Sequence, residues 1–263
     1  MKNKIIINKV GVVICTRGWQ KLLINGTEFC FEAGHAHPIA PVLVMESLEE
    51  SEDFECVELL GELDVLFPLV NKIIPIMAGR GIIVHPIVTL DDPDLINYTR
   101  QELAIIEKLK GDLEEVGKNS GESILIQNEA ELHTKVTFVT LLKHIYYALP
   151  TLSEKKRRDS SVAVQFLFSA IQNCKKEHRV EWYAKQASFS IGYFSRLIEA
   201  TIGKTPWEML TLLLVQNAKT MLDNSSMNIK QISDALGFPN QSAFRKHFER
   251  YTGMSPKAYR LRE

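Results

Sequence analysis

Two patterns of hydrophobic and polar positions divide the chain. Over residues 5–60 the apolar residues come in short runs rich in β-branched and aromatic side chains: Ile5–Ile7, Gly11–Cys15, Gln20–Ile24, Thr27–Phe31, Val42–Glu46 and Phe54–Leu60. Turn signals separate them at Asn25-Gly26, Ala33-Gly34 and Glu52-Asp53. Runs of this length between such signals predict strands. Asn25-Gly26 predicts a two-residue hairpin, because both central residues of a type I′ turn need positive φ. A small antiparallel β-barrel or sandwich is expected.

Beyond residue 63 the period lengthens. Val65–Ile74 is apolar at helical spacing and is expected to stop before Pro75. In Asp94–Val116, residues Leu95, Tyr98, Leu103, Ile106, Leu109 and Leu113 recur near every third or fourth position, behind Asp92 as N-cap and Pro93 at the first helical position. Gly117–Gly121 reads as a loop and Ala130–Leu149 as a second long amphipathic helix. Their apolar stripes are wide enough to pair with those of a second copy, which predicts a homodimer; packing onto their own barrel is the alternative. Pro150 stops the second helix, and residues 151–160, with the basic run Lys155–Arg158, read as a charged linker. The expected division is 1–150, 151–160 and 161–263.

The last hundred residues state one pattern twice. Tyr183, Ala184, Ala187, Ser188 and Phe189 match Ile232, Ser233, Leu236, Gly237 and Phe238. After one inserted residue, Phe194, Glu199, Gly203 and Pro206 match Phe244, Glu249, Gly253 and Pro256. Each copy reads as a short helix, a tight turn and a longer helix ending at Gly, which is the grammar of a helix-turn-helix DNA reader. In the first copy Ser190 is the expected N-cap, and Phe194, Leu197 and Ile198 face the core. That leaves Ile191, Gly192, Ser195, Arg196 and Glu199 outward. In the second, Pro239 or Asn240 opens the helix and Phe244 and Phe248 are core, which turns Gln241, Ser242, Arg245, Lys246 and Glu249 outward. Candidate DNA contacts are therefore Ser190, Ile191, Gly192, Ser195, Arg196, Asn240, Gln241, Ser242, Arg245 and Lys246. Gln can read adenine bidentately, and Arg can read guanine or clamp phosphate; for each residue the alternative is contact with phosphate or water alone. Ser161–Lys175 is expected to be a helix. Pro206–Asp223 is apolar on most sides and reads as a buried strut that sets the separation of the two readers.

Charge supports this division. From Thr151 onward there are 18 Lys and Arg against 10 Asp and Glu; before it, 13 against 22. The basic part is the one that carries the repeats, as phosphate binding requires. Cys15, Cys30, Cys56 and Cys174 have no C-x-x-C spacing and read as idle thiols of a reducing compartment. Ile5–Ile7 is too short for a signal peptide, and no run of about 18 apolar residues spans a membrane. A cytoplasmic protein without membrane contact is expected.

An enzymatic reading needs the first half. His35-Ala36-His37, with Glu46 and His85 as distant partners, resembles the start of a metal-cupin ligand set. The pair follows the Ala33-Gly34 turn and precedes Pro38, so surface loop histidines are expected instead, with no metal and no cofactor. Alkyl transfer needs activated cysteines, and nothing basic is arranged beside Cys15, Cys30 or Cys56. Gly79-Arg80-Gly81 lacks the rest of a phosphate loop. Neither enzyme class is expected.

The string Ile229–Phe244, followed by Phe248-Glu249-Arg250-Tyr251-Thr252-Gly253-Met254-Ser255-Pro256 and Tyr259-Arg260, resembles the signature of the AraC/XylS family of transcription regulators. Tyr193-Phe194-Ser195-Arg196-Leu197 and Gly203-Lys204-Thr205-Pro206 fit it more loosely. His178–Ala187 with Trp207-Glu208 looks like the branch common in Bacteroides-type genomes, whereas Leu214 falls near a position where many members carry Arg. The resemblance implies an α+β chain: a small cupin-like β-barrel with appended helices, then an all-α domain with two helix-turn-helix motifs. It implies a sequence-specific regulator of double-stranded DNA whose N-terminal domain senses a ligand or dimerises. Control by a small-molecule effector, control by dimerisation or a protein partner alone, and a contact to RNA polymerase all stay open.

Overall fold

The computed structural model describes residues 4–6, 9–24, 27–39, 43–78, 80, 82, 86–116 and 120–262, and the chain divides into two compact units, Met1–Ser161 and Val162–Glu263. In the first unit, β1 (Lys4–Ile6), β2 (Lys9–Arg17), β3 (Trp19–Ile24), β4 (Thr27–Glu32), β5 (His35–Ile39), β6 (Leu43–Glu50) and β7 (Glu55–Glu62) precede α1 (Leu63–Ala78). A short β8 (Val88–Thr89), α2 (Pro93–Val116) and α3 (Gly121–Ala148) follow. The strands do not close into a barrel. They form two four-stranded antiparallel sheets, ordered β1-β6-β3-β4 and β7-β2-β5-β8. The Asn25-Gly26 turn lies outside the described residues; the strands beside it pair from Trp19↔Glu32 to Ile24↔Thr27.

The period-2 alternation places one core between the sheets and another beneath the helices. Val13, Cys15 and Ile39 of one sheet meet Leu22, Ile24 and Phe31 of the other. The alternate residues of β2 and β7, Val12, Ile14 and Leu59, are also buried, on the side where β7 packs against α1, α2 and α3. Gly61 on β7 leaves room for α1: a Cβ there would stand 2.6 Å from Leu66 Cδ1.

Several elements differ from expectation. His35 and His37 lie on strand β5, not on a surface loop. His37 sits opposite Val13 and is 1% exposed. The breaker at Pro38 misled because β5 pairs along its length with β2 and only briefly with β8. Helix α1 continues through position 75 to Ala78, held by the burial of Met77 and Ala78. Helix α3 begins at Gly121, nine residues before Ala130. Its N-cap is Ser120, whose hydroxyl accepts from Ser123 N at 3.0 Å in a reciprocal capping box. The chain from Glu154 to Asn173 is one helix, α4, so the basic run Lys155–Arg158 is helical rather than a loose linker.

Burial fixes the protonation of His37. Its Nδ1 lies 2.5 Å from the Pro86 carbonyl, and desolvation lowers its pKa from 6.5 to about 4. The folded form therefore binds fewer protons than the unfolded chain between these values. The stability it contributes is complete above pH 6.5 and is lost as pH falls toward 4. Between pH 7 and 5 the first unit is expected to lose about 2 kcal/mol through this residue. Calorimetric melts of the wild type and His37→Phe at the two pH values check it: the substitution should flatten the slope.

In the second unit, α4 is followed by α5 (Val180–Gln186), α6 (Ile191–Ile202), α7 (Pro206–Asn224), α8 (Ile229–Ala235), α9 (Gln241–Thr252) and α10 (Pro256–Arg260). Phe166 of α4 meets Tyr183 and Phe194 edge-on at 5.5 and 5.4 Å, joining α4, α5 and α6. Ala218 and Leu222 of α7 pack with Ile232, Leu236, Phe244 and Phe248. Helix α7 touches α6 as well as α8, α9 and α10. Its residues Met209, Leu210, Leu213, Leu214 and Ala218 are buried, and Thr205 and Glu208 close a capping box at its start. Among the described residues no helix is long and apolar enough to cross a membrane.

Candidate nucleic-acid interface

Both long helices of the repeats start and stop by the same chemistry. Ser190 caps α6 by accepting from Tyr193 N at 3.4 Å, and Asn240 caps α9 by accepting from Ala243 N at 2.8 Å. Gly203 and Gly253 end them in the left-handed region, at φ 80° and 75°. The turns that precede the helices also match. Ser188 takes φ 60° where the second copy has Gly237 at φ 71°. A non-glycine residue there stores strain that the second copy avoids.

On α6, Phe194, Leu197 and Ile198 are buried, while Ile191, Gly192 and Arg196 are exposed and Ser195 is half-buried. On α9, Phe244 and Phe248 are buried, and Gln241, Ser242, Arg245 and Lys246 are exposed. Arg245 is engaged within its own helix: its Nε donates to Glu249 Oε1 at 2.8 Å. The α6 face carries one cation and the α9 face two. Sequence reasoning left out exposed Tyr193 on the first turn of α6. It also left out the shallow open depression between α5 and α6, lined by Glu181, Lys185, Ser188, Phe189, Ser190 and Ile191.

A brace unseen in the sequence joins the segment after α4 to the second turn. His178 Nε2 donates to the Leu236 carbonyl at 2.9 Å, and its ring lies 5.1 Å from that of Phe238. Phe238 meets His247 in turn at 5.3 Å, and His247 meets Tyr251 at 4.9 Å, with the rings tilted by 53° and 52°. Burial, with His178 and Arg250 nearby, pushes the His247 pKa down. Tyr251 meets Trp207, at the start of α7, at 5.9 Å. This row of rings ties α9 to α7.

Among the described residues no three His, Cys, Asp or Glu side chains converge as metal ligands; His85 lies outside them. Burial raises the pKa of Cys15, and that of Cys174 to about 11, which keeps both protonated and poorly nucleophilic. Gly79 and Gly81 lie outside the described residues.

Comparison with known proteins agrees with this geometry. A family model described as a helix-turn-helix domain matches residues 183–262. An uncharacterised HTH-type transcriptional regulator of Bacillus subtilis, YobQ, is 28% identical over 139 residues, 52% of either chain. The lactose operon transcription activator of Staphylococcus xylosus is 27% identical over 130 residues, 46% of this chain and 47% of that one. The chain thus spans about half the length of these relatives. Among solved structures, ToxT from Vibrio cholerae with a bound unsaturated fatty acid aligns over 98% of this chain and 89% of that one. At a TM-score of 0.50 and 13% identity, that likeness concerns the fold.

Proposed function

Since the chain belongs to the AraC/XylS family of helix-turn-helix regulators, we propose that it binds a specific double-stranded DNA site by inserting α6 and α9 into successive major grooves. The observation that carries this reading is a pair of side-chain-capped helices, each exposing its N-terminal face, that share one buried helix, α7. A helix of 19 residues such as α7 is about 28 Å long, and successive major-groove faces of B-DNA lie about 34 Å apart. A spacing below one turn is accommodated by bending, which costs on the order of 1–6 kcal/mol and adds preference at steps that are not contacted. Residues 161–263 are the DNA-binding part of this reading, and Ser190, Ile191, Gly192, Ser195, Arg196, Asn240, Gln241, Ser242, Arg245 and Lys246 its contact set. The protein acts in the cytoplasm, and contact with RNA polymerase is a further part of the proposal.

The N-terminal unit pairs two copies and senses a small apolar or sugar-like molecule. The inter-sheet position of His37, whose buried Nε2 has no hydrogen-bond partner among the described residues, supports a ligand that brings a donor. The fatty acid in the ToxT structure is in keeping with an apolar effector. Control by pairing alone is the second reading, favoured by the exposed apolar residues of α3.

Arg245→Ala tests the groove contact. It removes a guanidinium that, among the described residues, pairs with Glu249 alone, so little stability is lost: an exposed i,i+4 pair contributes about 0.3–0.5 kcal/mol. Affinity for a site selected from genomic DNA should fall by about 1–3 kcal/mol. Unchanged affinity in a gel-shift titration removes Arg245 from the contact set.

A further inference from the structure

Glu249 is the one acidic residue of α9, on a surface otherwise suited to phosphate. Gln241, Arg245 and Glu249 follow at four-residue intervals and share one strip of the helix. Helical side chains lean toward the N-terminus, which brings the Glu249 carboxylate onto Arg245. Its Oε1 accepts from Arg245 Nε at 2.8 Å. That contact uses one of the five N–H groups of the guanidinium. Among the described residues Nη1 and Nη2 have no partner, and the Arg245 side chain stays 64% exposed. The first copy lacks this pair: Glu199 stands where Glu249 does, but Ser195 stands where Arg245 does.

We propose that Glu249 is a positioning residue: it holds Arg245 by Nε so that the Nη1–Nη2 edge reads a guanine, and α9 thereby selects a G·C pair that α6 does not. This rests on the major-groove reading above and names the base that α9 recognises. Guanine presents N7 and O6 side by side in the major groove, and two N–H groups of one guanidinium match them. An arginine loses rotamer freedom when it makes such a contact. A side chain already held by Nε has lost part of it in advance, which is worth roughly two- to tenfold in affinity. Contact of Arg245 with phosphate explains Glu249 less well, because a carboxylate beside the guanidinium repels the phosphate it would bind. Lys246, exposed and next in sequence, has no hydrogen bond or ion pair among the described residues and suits the phosphate. The carboxylate therefore lowers general attraction to DNA and raises discrimination among bases.

The test uses the full chain, a duplex that it selects from a randomised library, and a random duplex of equal length. Each guanine of the selected duplex is replaced singly by 7-deazaguanine, which keeps base pairing and lacks the N7 acceptor. One replacement should weaken the wild type about tenfold and leave Arg245→Ala unaffected. E249L removes the acceptor and keeps a good helix former. It should lose roughly two- to tenfold on the selected duplex, while its affinity for random duplex rises slightly as a negative charge leaves the surface. E249Q keeps an oxygen at the same reach, so it should retain the sensitivity to 7-deazaguanine that E249L loses. Thermal melts matching the wild type confirm that the variants fold. An E249L that changes both duplexes by one factor overturns the positioning role, as does an E249Q that behaves like E249L. A selected duplex on which no 7-deazaguanine distinguishes wild type from Arg245→Ala overturns the guanine contact and leaves DNA binding standing. A wild type that enriches no sequence from the library overturns the specific-DNA reading together with this one.

Discussion

Gly237→Ala is expected to destabilise the second unit by roughly 2–5 kcal/mol, the sum of a left-handed conformation imposed on alanine and a close steric contact. Gly237 holds φ 71°, and a Cβ on it would lie 2.3 Å from the Lys175 carbonyl oxygen and 3.5 Å from His178 Nε2. Backbone, not a flexible side-chain tip, is what must move. Moving it loosens the His178 bond to Leu236, which holds the turn before α9. Gly253→Ala is the control. Its φ is 75°, but among the described residues nothing lies within 4 Å of the added Cβ. Only the conformational cost remains, about 1 kcal/mol. Calorimetry of the full chain should show the second unit's transition falling much further for Gly237→Ala than for Gly253→Ala. Equal losses would mean that the Lys175 contact yields without cost. Ser188→Gly, at the corresponding turn of the first copy, relieves strain and should be neutral to mildly stabilising, since freedom gained by the unfolded chain offsets part of the relief.

How far the sequence revealed this fold depended on whether independent signals coincided. Helix α2 shows an N-cap, Asp92, an N1 proline and a 3.6 period together, and Asp92 Oδ1 accepts from Leu95 N at 3.0 Å. The same holds for α6, where Ser190, the Phe194–Leu197–Ile198 stripe and Gly203 agree. Signals in conflict hid the rest. Strand β5 carries a proline and two histidines, and its identity depends on β2 beside it. The start of α4 is polar throughout, so no stripe marks it, yet Glu, Lys and Arg are strong helix formers and no breaker follows Pro150. Closure of the sheet into a barrel is a long-range property that no local pattern encodes. The outward faces of α6 and α9 were legible because burial of Phe194 and Phe244 fixes what lies opposite. The His178 brace was not, since it reaches a backbone carbonyl 58 residues away, which carries no side-chain signature.

Affinity for DNA is expected to fall about a thousandfold between 50 and 200 mM salt. The second unit, residues 162–263, holds 14 Lys and Arg against 8 Asp and Glu, and Lys185, Arg196, Lys230, Arg245, Lys246 and Arg250 are all exposed. Each phosphate that a cation neutralises releases condensed counterions, which gives a slope of about −0.9 per contact in log K against log salt. Roughly six contacts yield a slope near −5, and hence a loss of about three decades across a fourfold change in salt. Most of this term is independent of sequence, so it is measurable by fluorescence anisotropy on any duplex long enough for two major-groove turns. Lys246→Ala then separates the roles on α9. As a phosphate contact it should weaken binding to all duplexes alike and reduce the slope by about one, whereas Arg245→Ala, if it reads guanine, should cost more on the selected site than on random duplex. A flat salt response in the wild type would mean that these cations do not meet phosphates, and α6 and α9 would then have to be read as surfaces for some partner other than DNA.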